Sequence, residues 1–418
     1  MMRNGKRNLV LLSVISGIVL IQCCVFAEEA YTVKRKHALL RTGPGSFYPC
    51  IAELPQGTAF RVLEEQGGWY RVSVEDTTGY VSTKVTEGEG QKADVFSRMA
   101  GQRAGVRVSE MVMSAGVKGF GEKFSKRLEG DPNFVAYSLA YQIDYGKYEQ
   151  FREETYRGFD IRSTRGQIEL EPCEEPTFFT FSEEGMGLGI ASKIAQIGLY
   201  GNKAVQDYVN YVANLVVEAS DAYDICFKFF ILDTPYMNGY SCPGGIVFIT
   251  KGMLRKVESE AELACVLGHE IAHVARYHGM KESEERKGKI TADDAFMELS
   301  DEFGESEDDD MAALDKELED VVLAIYDQIF AGRLAEYEEE ADRLGVLFAA
   351  RAGYDPHGMV DLLTRIGLAD ETSNNEHYTK DQVASRKELV ARYLNSRKWP
   401  GKWLTKRDRL QQRLSSLK

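Results

Sequence analysis

Leu267-Gly268-His269-Glu270-Ile271-Ala272-His273-Val274 sets two imidazoles and a carboxylate inside a run, residues 261–275, that is otherwise almost wholly apolar. Apolar residues on every side predict a helix buried in a core. On such a helix His269 and His273 stand one turn apart on one face, so both rings can reach a single metal ion. Glu270 then lies beside the ion without ligating it, placed as general base for a metal-activated water. Burying these three polar side chains is costly unless something satisfies them, and a metal does so.

A catalytic zinc takes three protein ligands and keeps a fourth position open. The expected third ligand is Glu338, in Leu334-Ala335-Glu336-Tyr337-Glu338-Glu339-Glu340-Ala341-Asp342-Arg343-Leu344-Gly345. Apolar or small residues at 334, 337, 341, 344 and 348 give this stretch a helical period. Glu338 and Asp342 are four apart and share a face, so the glutamate can ligate while Asp342 holds a ligand histidine by a hydrogen bond. Glu336 and Glu339 read as a solvated face.

These residues resemble the HtpX-like and BepA-like gluzincins, the M48 family of metallopeptidases. The signature of that group is a His-Glu-x-x-His helix followed by Glu-x-x-Ala-Asp-Arg-x-Gly, and residues 338–345 read Glu-Glu-Glu-Ala-Asp-Arg-Leu-Gly. Phe229 to Pro235, Asn238, Pro243 to Gly252 and Arg351 to Pro356 continue the resemblance, which covers about residues 184 to 370. It implies one zinc ion on His269, His273 and Glu338, with Glu270 as the base. It also implies an edge strand at Ile246 to Thr250 that adds an extended polypeptide as a further strand. Asn238, Gly244, Gly245, Ile246, Val247 and Phe248 are therefore expected along the substrate.

Two departures stand out. Asn238-Gly239-Tyr240-Ser241-Cys242 replaces the family's Asn-Ala-Phe-Ala, and no His-Pro segment follows Gly353-Tyr354-Asp355-Pro356. The oxyanion partner is left unassigned. His278 closes the metal-helix segment, and His357 and His377 read as surface histidines.

Arg3, Lys6 and Arg7, an apolar stretch from Leu9 to Ile21 and Val25-Phe26-Ala27 form a signal peptide over residues 1–27, with lipid attachment at Cys23 as the competing reading. The apolar run is too short for a comfortable membrane span, and no other segment approaches one, so no transmembrane helix is expected in the mature chain. Export to the periplasm or cell envelope follows. Without those three cations, the remaining basic residues of the chain's 51 face 65 acidic ones. Such a surface excludes nucleic acid as a partner. The mature cysteines, Cys50, Cys173, Cys226, Cys242 and Cys265, are odd in number and form no disulfide framework. Cys265, on the metal helix, reads as a small core hydrophobe.

Residues 31–87 change to short alternating strands punctuated by Gly43-Pro44-Gly45, Pro55-Gln56-Gly57, Gly67-Gly68 and Gly79, and look like a bacterial SH3-like domain. Trp69 and Tyr70 there read as core packing or as ligand contacts. Residues 88–94 are a linker, and residues 95–183 a helical region of unknown role in which tyrosines at 137, 141, 145 and 148 suggest one packed helix face. Residues 184–418 form the metallopeptidase domain. It is interrupted by an acidic insertion, 281–320, that reads as solvated surface, as a lid, or less well as a calcium site. The basic stretch from Asp381 to the end, with Trp399 and Trp403, is expected to pack on that domain. The expected fold is multidomain: a small all-β SH3-like barrel, then an α+β, mainly helical zincin-type domain.

The expected function is an exported zinc metalloendopeptidase acting on unfolded or misfolded envelope proteins, with residues 31–87 free to engage cell wall or envelope proteins. Two rivals stand beside it: a peptidoglycan stem-peptide hydrolase targeted by the SH3-like domain, and a non-catalytic envelope chaperone or scaffold.

Overall fold

A computed structural model describes residues 30–35, 37–75, 77–86, 110–171, 181–281, 320–329, 333–368 and 379–417. The signal segment with Cys23, the linker at 88–94, Cys173, His377 and nearly all of the acidic insertion lie outside the described residues.

Strands β1 (Ala30–Thr32), β2 (His37–Arg41), β3 (Cys50–Pro55), β4 (Ala59–Gln66), β5 (Trp69–Val74) and β6 (Thr77–Ser82) make an antiparallel sheet in the order β1-β4-β5-β6-β2-β3. Gly67 and Gly68 join β4 to β5 with φ of 57° and 87°, the two positive values that a tight hairpin turn matching strand twist requires. Alternate side chains from these strands, among them Leu40, Leu54, Phe60, Val72 and Val81, close into a small core of their own.

The remaining residues share a second core. Helices α1 (Glu110–Arg127), α2 (Pro132–Ala140), α3 (Tyr145–Tyr156), α4 (Ile161–Gly166), α5 (Phe181–Ile194) and α6 (Lys203–Val217) precede a three-stranded sheet. Its strands are β7 (Lys228–Leu232), β8 (Gly239–Ser241) and β9 (Ile246–Thr250). Then come α7 (Lys251–Lys256), α8 (Glu260–Ala275), α9 (His278–Lys281), α10 (Ala335–Arg351), α11 (Gly358–Leu368), α12 (Lys380–Ser396) and α13 (Arg407–Arg413). Buried apolar side chains run continuously from Phe124 to Leu417, so the 110–171 helices pack into the same core as the histidine helix. Helix α5 passes through the position expected to divide the two regions, 183/184. The four tyrosines are split between two helices and their ends: Tyr137 and Tyr141 pack on Phe230, whereas Tyr145 and Tyr148 meet Phe47 of the SH3-like unit. An N-cap explains the break, since Asp144 accepts the Lys147 N–H and starts a new helix between Tyr141 and Tyr145.

The sheet order corrects one expectation. β9 is the middle strand, parallel to β7 and antiparallel to β8, and all five of its residues are buried. An unbroken Ile-Val-Phe-Ile run is what burial on both faces demands, so the edge passes to the shorter, more polar β8.

Helix α8 begins at Ser259, whose hydroxyl accepts from the Glu262 N–H, and every residue from Glu260 to Ala275 is buried. Its two first-turn carboxylates are neutralised by cations from later helices, Glu262 by Arg365 and Glu260 by Arg409. Helix α10 lies directly against α8. A Cβ on Gly268 would meet the Gly345 carbonyl oxygen at 2.6 Å, and one on Gly345 would meet the His269 nitrogen at 2.7 Å. Two glycines thus let the backbones touch, which brings side chains from the next turns within reach of one another. Trp399 and Trp403 meet edge to face at 6.3 Å between centroids, and both pack against this core. No described helix is long and apolar enough to cross a membrane.

Candidate metal centre and cleft

His269 and His273 project from α8, and Glu338 projects from α10 toward them. Ligand atoms of the three lie within 4.8 Å of one another. The carboxylate oxygens of Glu338 stand 3.6 Å from His269 Nε2 and 3.4 Å from His273 Nε2, while the two Nε2 atoms are 3.0 Å apart.

The other ring nitrogens are occupied elsewhere. His269 Nδ1 is 2.9 Å from Asp342 Oδ1, and His273 Nδ1 is 2.9 Å from His278 Nδ1. A carboxylate can only accept, so His269 carries its proton on Nδ1 and presents a bare Nε2. When both Nε2 atoms are bare, two imidazole lone pairs and a carboxylate facing one another at these distances repel unless a cation sits between them. Two nitrogens and one oxygen suit zinc, and the donor set fits that ion.

Burial alone works against a charge on His269, but its hydrogen bond to Asp342 and the nearby Glu338 prevail and raise its pKa. His273 is held well below its usual value, first by burial, against the pull of Glu338. Burial pushes Glu338 up, yet Arg386 and the two imidazoles together keep it well below the ordinary carboxylate range, in the anionic form that a metal would require. Asp342 behaves likewise, with Arg386 the strongest force against its burial.

Arg386 comes from α12 and holds both carboxylates of α10. Its Nε is 2.8 Å from Asp342 Oδ2, its Nη2 2.7 Å from Asp342 Oδ1 and its Nη1 3.1 Å from Glu338 Oε2. A planar fork that donates in fixed directions fits this task where an ammonium would not. Ser241 holds Glu270 in the same way. Its hydroxyl is 2.5 Å from Glu270 Oε2, and Gly239 leaves room for the carboxylate, since a Cβ there would meet Glu270 Oε1 at 2.1 Å. Burial raises the pKa of Glu270 above the ordinary glutamate value, which suits a group that must take up and release a proton.

These side chains line a cleft of about 340 Å³ whose opposite wall is β8. Asn238 and Tyr240 face their peptide groups to β9, since Thr250 N–H donates to the Asn238 carbonyl and Cys242 N–H to the Ile246 carbonyl. Gly239 and Ser241 therefore turn theirs toward the cleft. Arg333 Nη2 donates to the Ser241 carbonyl at 3.3 Å.

The residues expected to chelate or to act as base, His269, His273, Glu338, Glu270 and Asp342, come together here. Of the six expected along the substrate, Asn238 lines the cleft. Gly244 and Gly245 form the turn before β9, and Ile246, Val247 and Phe248 are buried within it. Glu336 and Glu339 are exposed, as is His357, which bonds Asp355. Sequence reasoning named Ser241 and His278 without giving either a role at the site, and passed over Glu340, Arg333 and Arg386. A third histidine five residues after His273 was a visible signal. Arg386 gave none, because no periodicity links it to a carboxylate 44 residues away.

The SH3-like unit is docked on this body at two places. Arg35 and Lys84 bind Asp224 at 3.0 and 3.2 Å, Ser82 donates to the same carboxylate, and Trp69 meets the ring of Tyr223 edge on. Beside them Tyr48 stacks on Tyr145 and donates to Glu149. Trp69 is 3% exposed and belongs to this interface rather than to the unit's own core.

Residues 202–396 match peptidase family M48, and residues 37–87 match the bacterial SH3 domain. The chain thus carries an M48 peptidase domain behind a bacterial SH3 domain. It is similar to beta-barrel assembly-enhancing proteases of Yersinia pestis, 28% identical over 40% of this chain and 33% of the relative, and of Escherichia coli strain K12, 27% over 40% and 34%. It is also similar to the mitochondrial metalloendopeptidase OMA1 of Schizosaccharomyces pombe, 26% identical over 39% of this chain and 44% of the relative. The chain spans about a third of the length of the beta-barrel assembly-enhancing proteases it matches.

Proposed function

We propose that this chain, with its M48 peptidase domain and bacterial SH3 domain, is an exported zinc endopeptidase that hydrolyses unfolded or misfolded polypeptides in the cell envelope. The observation that carries the reading is the convergence of His269, His273 and Glu338 beside a buried glutamate, in a cleft walled by a strand edge. A zinc ion held by those three residues would supply Lewis-acid polarisation of a peptide carbonyl and lower the pKa of a water molecule.

The protein's own groups do the rest. Glu270, kept in place by Ser241 and raised in pKa by burial, takes the water's proton and returns it to the leaving amine. The outward Ser241 N–H and Gly239 carbonyl offer one donor and one acceptor to an extended chain laid along β8, the Gly239 N–H being taken by Asn238 Oδ1 and the Ser241 carbonyl by Arg333. Only a segment free of its own secondary structure can pair in that way, which supports an unfolded substrate. The two relatives named for beta-barrel assembly favour envelope proteins as targets, and the basic and apolar pattern of residues 1–27 favours export. The surface that carries Trp69 is covered by Tyr223, which favours this reading over cell-wall targeting through that surface.

The test is turnover of an unfolded, fluorescently labelled polypeptide by zinc-loaded protein and its Glu270→Gln variant. Loss of a general base lowers the rate roughly 10² to 10⁴-fold. Full zinc content with that loss supports the reading, and equal cleavage by both proteins overturns it.

A further inference from the structure

His278 is fully buried and is used by nothing in the reaction above. Its Nδ1 is 2.9 Å from Nδ1 of His273, and its Nε2 is 3.2 Å from Glu340 Oε2. With His278 neutral, one arrangement of protons satisfies all three groups. Glu340 accepts, so His278 carries its proton on Nε2 and offers the Nδ1 lone pair to the Nδ1–H of His273. That leaves His273 Nε2 bare and aimed at Glu338.

The contacts do not stop at Glu340. Its other oxygen is 3.6 Å from Arg276 Nε, and Arg276 Nη1 is 2.6 Å from Asp221 Oδ2. Asp221 sits in the loop on which the SH3-like unit is docked: its carbonyl accepts from Lys84 Nζ, and Tyr223 and Asp224 of the same loop take Trp69, Arg35 and Ser82. A continuous line of polar contacts therefore joins the SH3-like unit to a metal ligand. Arg276 and Asp221 are 5% and 12% exposed, too little for water to replace that link freely, while Glu340, the middle of the line, is 31% exposed.

We propose that His278 is a positioning residue for His273, and that its anchorage through Glu340, Arg276 and Asp221 makes the geometry of the metal centre depend on docking of the SH3-like unit. The inference rests on the metal-centre reading. The SH3-like unit is then an internal brace whose contact with the 221–224 loop sets the orientation of one ligand. Spatial continuity alone does not establish coupling, so the experiment must move the distant end and read the near one.

The measurements use the full chain: zinc affinity by chelator competition, the visible absorption bands of cobalt(II)-substituted protein, and thermal unfolding as a control for folding. Loss of a hydrogen-bond partner to a metal-bound histidine costs roughly ten- to a hundredfold in metal affinity. His278→Ala should show that loss and altered cobalt bands. His278→Gln, which can accept at its oxygen and donate at its nitrogen, should recover most of the affinity. The distant pair Arg35→Ala with Lys84→Ala should alter the cobalt bands in the same direction, with a smaller loss of affinity. Unchanged bands in the distant variant overturn the coupling, and unchanged affinity in folded His278→Ala overturns the positioning role. Wild-type protein that takes up no cobalt overturns the metal-centre reading itself.

Discussion

Gly268 and Gly345 touch across the two helices that carry the candidate metal ligands, and their contact sets how closely His269 can approach Glu338. The Gly345 Cα is 3.1 Å from where a Cβ on Gly268 would stand, and neither position tolerates a side chain without moving backbone. Close packing of α8 on α10 is thus a condition for three donors to meet.

Gly345→Ala tests that condition. Its Cβ would meet backbone atoms of His269 at 2.7 and 2.9 Å, so the helices must separate. Overpacking of this kind costs about 1–3 kcal/mol. A lowered midpoint in urea unfolding together with weaker zinc binding is expected, and an unchanged affinity would show that the spacing has slack.

Arg386→Met should be more damaging than Arg386→Lys. Asp342 is 2% exposed and loses the cation that holds its charge, and breaking a buried pair costs about 3–5 kcal/mol. The lysine keeps the charge but cannot grip Asp342 and Glu338 together. Equal stability of the two variants in equilibrium unfolding would contradict the bridging role.

Ser241→Ala should move the acid limb of the pH–rate profile upward. The Ser241 hydrogen bond lowers the pKa of Glu270 against the stronger effect of burial, so its removal raises that pKa further. The base must be ionised to act, and activity then fails at a higher pH than in the wild type. A limb that stays in place would separate Ser241 from the protonation of Glu270.

Acid should loosen the SH3-like unit through Asp224. Burial pushes this carboxyl up, but Lys84 and Arg35 outweigh it and hold it below the ordinary aspartate value of 3.8. A depressed folded-state pKa gives stabilisation that is complete above the unfolded value and lost as pH falls through the folded one. The docked state should therefore resist acid down to about pH 3.9 and weaken below it. Asp224→Asn should weaken docking at neutral pH by about 2 kcal/mol, the worth of charged hydrogen bonds, and remove that transition. Hydrogen exchange of the 221–224 loop against pH reads both.

Much of the centre was legible in residues 267–274 and 338–345, because helical period converts spacing directly into direction. His269 and His273 had to share a face, as did Glu338 and Asp342. The glycine that ends the second motif announced itself as well, though its reason, contact with Gly268, is a fact of packing. The edge strand was misplaced because that expectation followed the family resemblance and not the unbroken apolar run of Ile246 to Ile249; pairing with both β7 and β8 settled it.

What the sequence determined by itself is the local chemistry: a buried two-histidine helix, a glutamate beside it, a second helix with the right carboxylates, and an SH3-like pattern ahead of them. Tertiary structure decided who stands behind those groups. Arg386 on Glu338 and Asp342, Ser241 on Glu270, His278 on His273 and the docking of Trp69 on Tyr223 all join residues far apart in the chain or on separate elements. Periodicity fixes where a side chain points from its own element, and only the packed fold fixes what it meets.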